Sequence, residues 1–243
     1  MPRNEHEKKM QPKPRYAIYY APPAEAAFAR FGASVLGYDA HSGKAVPIAA
    51  VLAQSFPNWR DLAAEPARYG FHATLKAPFE LAPATTEDDL LLAARAVARR
   101  LQPLDIGILE IAEMGRFLAL VPLDQTTIRE IAADIVRSLD QARAPLSDAD
   151  RARRFKSPLS ERQIAYLDLW GYPNVMDEFR FHMTLTGPVD DATFHAAARE
   201  TLTQLHATVS EPVVLDALTV FRQLDRTAAF TTIARYALEG RAA

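Results

Sequence analysis

Residues 71–78 read Phe-His-Ala-Thr-Leu-Lys-Ala-Pro and residues 181–188 read Phe-His-Met-Thr-Leu-Thr-Gly-Pro, so the chain contains two versions of one stretch. Both versions are rich in aromatic, aliphatic and threonine residues, end at proline and precede an acidic segment, which is typical of a strand followed by the start of a helix. Side chains alternate along a strand, so the histidine and the threonine two positions later share a face. Each stretch therefore predicts a strand that presents one imidazole and one hydroxyl group together.

The segments after the two stretches repeat the same order of predicted elements. After the first, a capping-box pattern at Thr86 predicts a helix, and two strands follow by residue 121. After the second, Asp190 and Asp191 start a helix, and two strands follow by residue 238. The repeat is much longer than a solenoid unit, so it indicates one duplicated lobe. The predicted fold class is α+β, with two pseudo-symmetric lobes whose antiparallel sheets are backed by helices and face a central cleft.

The remaining segments place a tail before one bilobal domain. Residues 1–14 are polar, charged and contain proline, so we expect a flexible N-terminal tail. Residues 15–243 are expected to form a single domain, in which lobe one covers about 15–123 and lobe two about 124–243. The other predicted elements are a strand at 16–20, helices at 24–36, 124–139 and 159–170, a loop with short helical pieces at 37–66, and a basic connector at 144–158.

The composition limits the class of protein. With 49% hydrophobic and 24% charged residues among 243, the chain is typical of a soluble globular protein. Its net charge of −2 argues against dependence on long nucleic acid, which requires a basic surface. The absence of cysteine excludes disulfides, a thiol nucleophile and a thiolate metal site. No apolar run has the length of a signal peptide core or a membrane span, so we expect a cytoplasmic protein without a membrane partner.

The two histidines suggest proton transfer. A histidine with a pKa of about 6.5 exists in both protonation states near neutrality, so one imidazole can accept a proton while the other donates one. The hydroxyl groups of Thr74 and Thr184 can donate hydrogen bonds to an anion held between the histidines. Two proton carriers on opposite sides of an anion, with hydroxyl donors between them, suit in-line displacement at a tetrahedral phosphorus. The pattern therefore favours His72, His182, Thr74 and Thr184 as catalytic residues.

Other polar residues are weaker candidates for substrate binding. Regular alternation places Lys76 and Arg180 on the histidine face, where each is either a substrate contact or an exposed charge at a strand end. Tyr172, within Gly-Tyr-Pro, is a candidate for the mouth of the cleft. Tyr69 falls on the opposite face if its strand is regular. The basic cluster at 151–156 favours a solvated surface, with a phosphate or nucleotide contact as the alternative.

Several other enzyme classes lack their motifs. There is no His-Glu-x-x-His sequence and no close group of Asp and His residues, which disfavours a metal hydrolase. There is no glycine-rich phosphate loop, which disfavours an NTPase or a dinucleotide-binding fold. There is no Gly-x-Ser-x-Gly sequence, which disfavours an α/β-hydrolase.

The paired His-x-Thr-Leu motifs resemble the signature of the two-histidine (2H) phosphoesterase superfamily. The longer strings at 68–79 and 179–188, with Leu-Asp-Leu-Trp-Gly-Tyr-Pro at 167–173 and Arg-Ala-Pro-Leu at 143–146, resemble its branch found with bacterial phosphonate-utilisation genes. The likeness extends over about 15–238. It implies a bilobal fold and metal-independent catalysis, without a cofactor, on cyclic phosphates or 2′,5′-linked phosphodiesters.

The resemblance also implies roles by position. His72 and His182 take the acid and base roles, and Thr74 and Thr184 contact the phosphate. In a phosphonate-breakdown setting, a small cyclic ribose phosphate is a sensible substrate. We therefore expect a phosphoesterase that opens a small cyclic phosphodiester, with a non-catalytic nucleotide-binding or RNA-end-binding module and an RNA 2′,5′ end-processing enzyme as alternatives. The near-symmetry of the lobes leaves open which histidine is the base, and nothing in the sequence indicates the oligomeric state.

Overall fold

The computed structural model describes residues 13–155 and 157–241, so most of the expected tail lies outside the described residues. The strands are β1 (Arg15–Tyr20), β2 (Tyr38–Asp39), β3 (Lys44–Ala45), β4 (Ala73–Glu80), β5 (Leu104–Gly107), β6 (Glu110–Met114), β7 (Phe117–Val121), β8 (Met183–Thr184), β9 (Val213–Leu215), β10 (Ala217–Gln223) and β11 (Thr231–Ala237). The helices are α1 (Ala27–Leu36), α2 (Ala50–Ser55), α3 (Trp59–Ala67), α4 (Glu87–Arg100), α5 (Thr126–Ser138), α6 (Asp148–Arg154), α7 (Glu161–Trp170) and α8 (Ala192–Ala207).

Seven strands form one antiparallel sheet in the order β11-β10-β1-β4-β8-β7-β6. The two motif strands, β4 and β8, are neighbours within it. The hairpin of β6 and β7 pairs with β8, while the hairpin of β10 and β11 pairs with β1. The hairpin from the first half of the sequence therefore lies beside the motif strand of the second half. The hairpin from the second half lies on the side of the sheet that carries the first motif strand. The predicted α+β class, with antiparallel strands backed by helices, is confirmed, and the halves meet by direct pairing of β4 with β8.

Helices cover one face of this sheet. α4 packs against β10 and β11, α5 against β4, and α8 against β6. The core between the layers contains fully buried aliphatic residues from five adjacent strands, namely Ile18, Leu75, Leu118, Met183 and Val220. Burial of each such side chain contributes about 1.5–3 kcal/mol. On the opposite face of the sheet lies a smaller apolar cluster, formed by Ala17, Tyr19, Phe221 and Phe230. Because the main core lies on the helix-covered face, the opposite face can hold the site.

Local sequence signals determine the ends of several helices. The Thr86 hydroxyl accepts a hydrogen bond from the Asp89 amide (3.2 Å), and the Asp89 carboxylate accepts one from the Thr86 amide (2.9 Å), so the predicted capping box starts α4. The Asp191 carboxylate caps α8 in the same region of sequence that predicted its start. α1 ends at Gly37, whose left-handed φ of 72° costs a glycine little.

Three segments differ from the prediction. β8 contains only two residues: before it, the Phe181 amide donates to the Gln125 side chain (2.7 Å), and after it the Leu185 and Thr186 amides both donate to the Leu118 carbonyl oxygen of β7 (2.9 and 3.3 Å), which ends the regular ladder. The 37–66 segment forms β2, β3, α2 and α3. The basic connector contains α6, which is capped by the Ser147 hydroxyl. Within the described residues, no helix combines the length and apolar character needed to cross a bilayer.

Candidate active site

The pairing of β4 with β8 brings the two motifs together. Ala73 is the partner of Met183 in this antiparallel pair, so His72 lies opposite Thr184, and Thr74 lies opposite His182. Side chains directly opposite in such a pair have Cβ atoms roughly 4.5–5.5 Å apart. His72 and Thr184 line one cavity, and Thr74 and His182 line another, as this register requires. The four side chains therefore form a single cluster with the two imidazoles on a diagonal.

Both imidazoles are fixed in the same way. His72 Nδ1 lies 2.9 Å from the Gly70 carbonyl oxygen, and His182 Nδ1 lies 2.8 Å from the Arg180 carbonyl oxygen. A carbonyl oxygen only accepts, so each Nδ1 carries a proton and donates it. In the neutral ring, Nε2 is then unprotonated and can act as a base. His72 Nε2 lies 3.2 Å from the Thr74 hydroxyl oxygen, on the side of the cluster.

The surroundings of the two rings are not equivalent. The His72 ring stacks on Tyr19 at a centroid distance of 3.8 Å, with Phe221 and Tyr69 further out. Burial, with a smaller contribution from the nearby His182, lowers the pKa of His72 to about 4 against the raising effect of the Gly70 carbonyl. The centroid of the His182 ring lies 5.9 Å from the centroid of the Phe117 ring. Burial also lowers the pKa of His182, and the Arg180 carbonyl opposes that shift.

Gly70, whose carbonyl oxygen holds the His72 ring, has a backbone conformation that favours glycine. Substitution of Gly70 tests how tightly this part of the site is packed. Its φ is 75°, and a Cβ there would lie 2.5 Å from the Cβ of Ala40. We expect Gly70→Ala to lower the free energy of unfolding by roughly 2–4 kcal/mol, from backbone strain and overpacking together. Gly107→Ala is the matched control, because Gly107 has a φ of 74° with nothing within 4 Å of the added atom. Denaturant unfolding of both variants measures the difference, and equal losses would contradict the steric contribution.

The cluster opens into two cavities. The larger, about 610 Å³, contains Thr74 and His182 together with Arg180 and Tyr172. The smaller, about 210 Å³, contains His72 and Thr184. Phe117, at the start of β7, lines both and forms the boundary between them. A small anion at this boundary would have one imidazole on each side.

Of the other predicted binding residues, two line the larger cavity and one does not. Arg180 is exposed at the larger cavity, and Tyr172 is half-buried in its wall. Lys76 does not join the histidines. Its Nζ donates to the Asp140 carboxylate (2.9 Å) and the Val136 carbonyl oxygen (3.3 Å), and its side chain is 3% exposed.

A register shift explains the position of Lys76. Tyr19 pairs with Thr74, but Ile18 pairs with Lys76, so β4 contains an extra residue, Leu75, relative to β1. Such a bulge ends the regular alternation. Thr186, the equivalent of Lys76 in the second motif, is also buried and accepts a hydrogen bond from the Leu118 amide (3.0 Å). In the first copy the site face ends at Thr74, whereas in the second copy Thr186 still lines the cavity that contains His72 and Thr184.

Sequence reasoning missed several residues of the site. Tyr19 stacks on His72, and Phe117 separates the cavities. Tyr69, expected on the opposite face, lines the smaller cavity, because the positive φ of Gly70 interrupts the strand that alternation assumes. Glu178 lines the larger cavity. Within the described residues, no three or more His, Asp or Glu side chains are grouped so as to hold a metal ion.

Comparison with known proteins identifies the family. A family profile described as "Protein of unknown function (DUF1045)" matches residues 74–231. The chain belongs to the DUF1045 family. This DUF1045 chain is 37% identical over 222 residues to a protein of Janthinobacterium sp. (strain Marseille) named ribose 1,5-bisphosphate phosphokinase PhnN, with 86% of this chain and 47% of that protein covered. A protein of the same name from Laribacter hongkongensis (strain HLHK9) is 32% identical over 217 residues, with 89% and 50% covered.

The DUF1045 chain therefore spans about half the length of these curated relatives. Among solved structures, it is similar to TT0787 of Thermus thermophilus, with a TM-score of 0.46, 14% identity and coverage of 94% of this chain and 100% of that one. It is also similar to E. coli LigT complexed with 3′-AMP, with a TM-score of 0.42, 16% identity and coverage of 93% and 98%.

Proposed function

We propose that this DUF1045 chain is a metal-independent phosphoesterase that opens a small cyclic phosphodiester, of the cyclic ribose phosphate or 2′,3′-cyclic nucleotide type. The observation that supports it most is the matched pair of imidazoles, each with Nδ1 bonded to a backbone carbonyl, which leaves Nε2 as the proton-transfer atom; in His72 this Nε2 faces the Thr74 hydroxyl at 3.2 Å. A threonine hydroxyl from the neighbouring strand lies opposite each imidazole. This arrangement supplies a base, an acid and two neutral donors around one small anion.

The reaction follows from these positions. The His72 imidazole, whose pKa burial lowers to about 4, is neutral and accepts a proton from water through Nε2. The oxygen of that water forms a bond to phosphorus while the bond from phosphorus to one ribose oxygen breaks. Protonated His182 donates its Nε2 proton to the departing ribose oxygen. Thr74 and Thr184 donate hydrogen bonds to the non-bridging oxygens as charge develops there. The product is a phosphate monoester, and proton exchange with solvent restores both rings.

The names of the relatives support a ribose phosphate as the substrate class. Their printed name assigns them a kinase that acts on ribose 1,5-bisphosphate. The DUF1045 chain has no glycine-rich phosphate loop, so we attribute that kinase activity to the half of the relatives that it does not match. Hydrolysis of a cyclic phosphate on ribose 5-phosphate gives a ribose bisphosphate. A phosphoesterase of this kind would therefore produce the class of compound that the kinase consumes.

The proposal is tested by turnover. Cyclic ribose phosphates, 2′,3′-cyclic nucleotides and a 2′,5′-linked dinucleotide are incubated with the protein and a metal chelator, and phosphate monoesters are detected by ³¹P NMR. We expect the cyclic ribose compounds to be opened at the same rate with and without the chelator. Preferred cleavage of the 2′,5′-linked dinucleotide would favour RNA end processing instead. Tight calorimetric binding of an intact cyclic phosphate without turnover would favour a binding module.

The dependence of the reaction on pH is expected to be bell-shaped with an acidic optimum. kcat/KM should rise as His72 loses its proton near pH 4 and fall as His182 loses its proton below its ordinary pKa of 6.5. The bound anion raises the pKa of protonated His182, so the fall in kcat should occur at higher pH than the fall in kcat/KM. Initial rates between pH 3.5 and 9, with tryptophan fluorescence to verify folding, measure both. An optimum of kcat/KM above pH 7 would contradict this assignment of base and acid.

A further inference from the structure

A third cavity, of about 240 Å³, lies beside the active site and is strongly basic. Six cationic residues line it: Lys13, Arg15, Lys76, Arg143, Arg154 and Arg226. The carboxylates in its lining are those of Glu80 and Asp150. We call this space the basic cavity. Its lining cations outnumber its lining carboxylates, so it carries an excess of positive charge.

The ion pairs in the structure show which cations have partners. Arg226 binds both Glu80 (3.1 Å) and Asp150 (2.9 Å), so it occupies both lining carboxylates. Arg143 and Lys76 share Asp140, each at 2.9 Å. Arg15 and Arg154 form no ion pair with any residue that the structure describes.

Both of these arginines are nevertheless held in place. Arg15 donates to the Gln223 side-chain oxygen through Nε (2.8 Å) and lies over the Phe230 ring at 5.5 Å. Arg154 lies over the Tyr172 ring at 4.8 Å. Both are half-buried. Burial and the nearby Arg226 lower the pKa of Arg15.

A phosphate group would offset this imbalance. Desolvated cations without a partner are costly, and an anion that reaches them removes that cost. A guanidinium group binds phosphate oxygens in a planar, bidentate geometry, and aromatic stacking fixes its plane in advance. Arg154 on Tyr172 and Arg15 on Phe230 both have this preorganisation.

The basic cavity is next to the catalytic cluster. Tyr172 lines both the basic cavity and the cavity that contains His182. Along β4, Thr74 belongs to the catalytic cluster, and Lys76, two residues further, lines the basic cavity. The two spaces therefore adjoin through Tyr172 and through neighbouring residues of β4.

We propose that the basic cavity binds a second phosphate, a phosphate monoester on the same sugar as the cyclic phosphate, with Arg154 and Arg15 as its principal ligands. The location of the cyclic phosphate at the histidines rests on the proposed function, but the anion site itself does not. The substrate class is then a ribose cyclic phosphate that also carries a terminal phosphate. Within the basic cluster at 151–156, Arg154 would then bind the second phosphate. Arg151, in contrast, pairs with Asp168 at the surface.

The test uses ligands that require no turnover. Calorimetry compares ribose 1,5-bisphosphate with ribose 1-phosphate, which differ only in the 5-phosphate. The proteins are the wild type, Arg154→Gln, the control Arg151→Gln, and the double variant His72→Ala/His182→Ala. One charge-assisted hydrogen bond contributes about tenfold or more in affinity. We therefore expect wild type to bind the bisphosphate at least about tenfold more tightly, Arg154→Gln to lose most of that preference, and Arg151→Gln to keep it.

The double histidine variant separates this proposal from the proposed function. Retention of the preference there, even if no cyclic phosphate is ever turned over, supports the basic cavity as a phosphate site. Equal affinity of wild type for the two sugars would overturn the proposal. Binding of inorganic phosphate that depends on Arg154, with no advantage for the bisphosphate, would also overturn it, because the anion would then be free phosphate and not a group on the substrate.

Discussion

His72→Ala and His182→Ala are each expected to lower kcat/KM for a cyclic ribose phosphate by about 10²–10⁴-fold, the usual contribution of a general acid or base. Each removes a proton carrier whose Nδ1 is fixed by a carbonyl oxygen, at 2.9 Å for His72 and 2.8 Å for His182. No other side chain in the cluster can exchange a proton near neutrality, since the remaining members are threonines. The measurement is steady-state hydrolysis with the chelator present.

The two losses are not expected to add. The base and the acid act in one displacement, so once either histidine is absent, loss of the other lowers the rate little further. The double variant should therefore be about as slow as the slower single variant. His41→Gln is the control, because His41 bonds to the Pro22 carbonyl oxygen and lines neither cavity of the cluster. Activity retained in both single variants would end the catalytic proposal.

A stability measurement must accompany the His72 variant. The His72 ring stacks on Tyr19 at 3.8 Å, so truncation to alanine leaves a gap beside a fully buried tyrosine. His72→Gln keeps more of that volume and lacks the proton-transfer function. If both His72 variants unfold at the temperature of wild type and both lose turnover, the loss belongs to chemistry and not to folding.

The sequence predicted the parts of the site that depend on local pattern. Two residues apart on a strand, His72 and Thr74 share a face whatever the strand pairs with, and the same holds for His182 and Thr184. The α+β class followed equally from the order of elements. Helix starts at Thr86 and Asp191 were predictable because the capping bonds join residues within the same turn.

The parts that depend on long-range pairing could not be read from the sequence. The motif strands are neighbours in one sheet, and each receives the hairpin of the other half, which no local pattern specifies. Phe117 reaches the site only because β7 pairs with β8. Lys76 leaves the histidine face because β4 contains an extra residue opposite Ile18. A bulge of this kind shifts every later side chain, so alternation predicts Thr74 correctly and fails two residues later.

The two threonines should account for the second largest effect. Thr74→Val and Thr184→Val are expected to lower kcat by about 10²–10³-fold each, as loss of one preorganised donor to a developing oxyanion does. Valine has nearly the shape of threonine without the hydroxyl, so the substitution removes the donor and little volume. The register places each threonine beside the histidine of the other strand, so an anion held between the histidines, as proposed, would lie within reach of both hydroxyls.

Serine variants distinguish donation from packing at these positions. Thr74→Ser and Thr184→Ser keep the hydroxyl and lose a methyl group, so they should retain most of the rate if hydrogen bonding is what matters. Neither threonine is buried in the core, which limits the effect of a lost methyl group on folding. The Thr74 hydroxyl also lies 3.2 Å from His72 Nε2. Thr74→Val should therefore raise KM and change the pH profile in addition to lowering kcat. Thr184→Val should lower kcat alone. Valine and serine variants of equal activity would show that the hydroxyls contribute nothing to the transition state, and the phosphate would then have to be held by Arg180 or by the backbone.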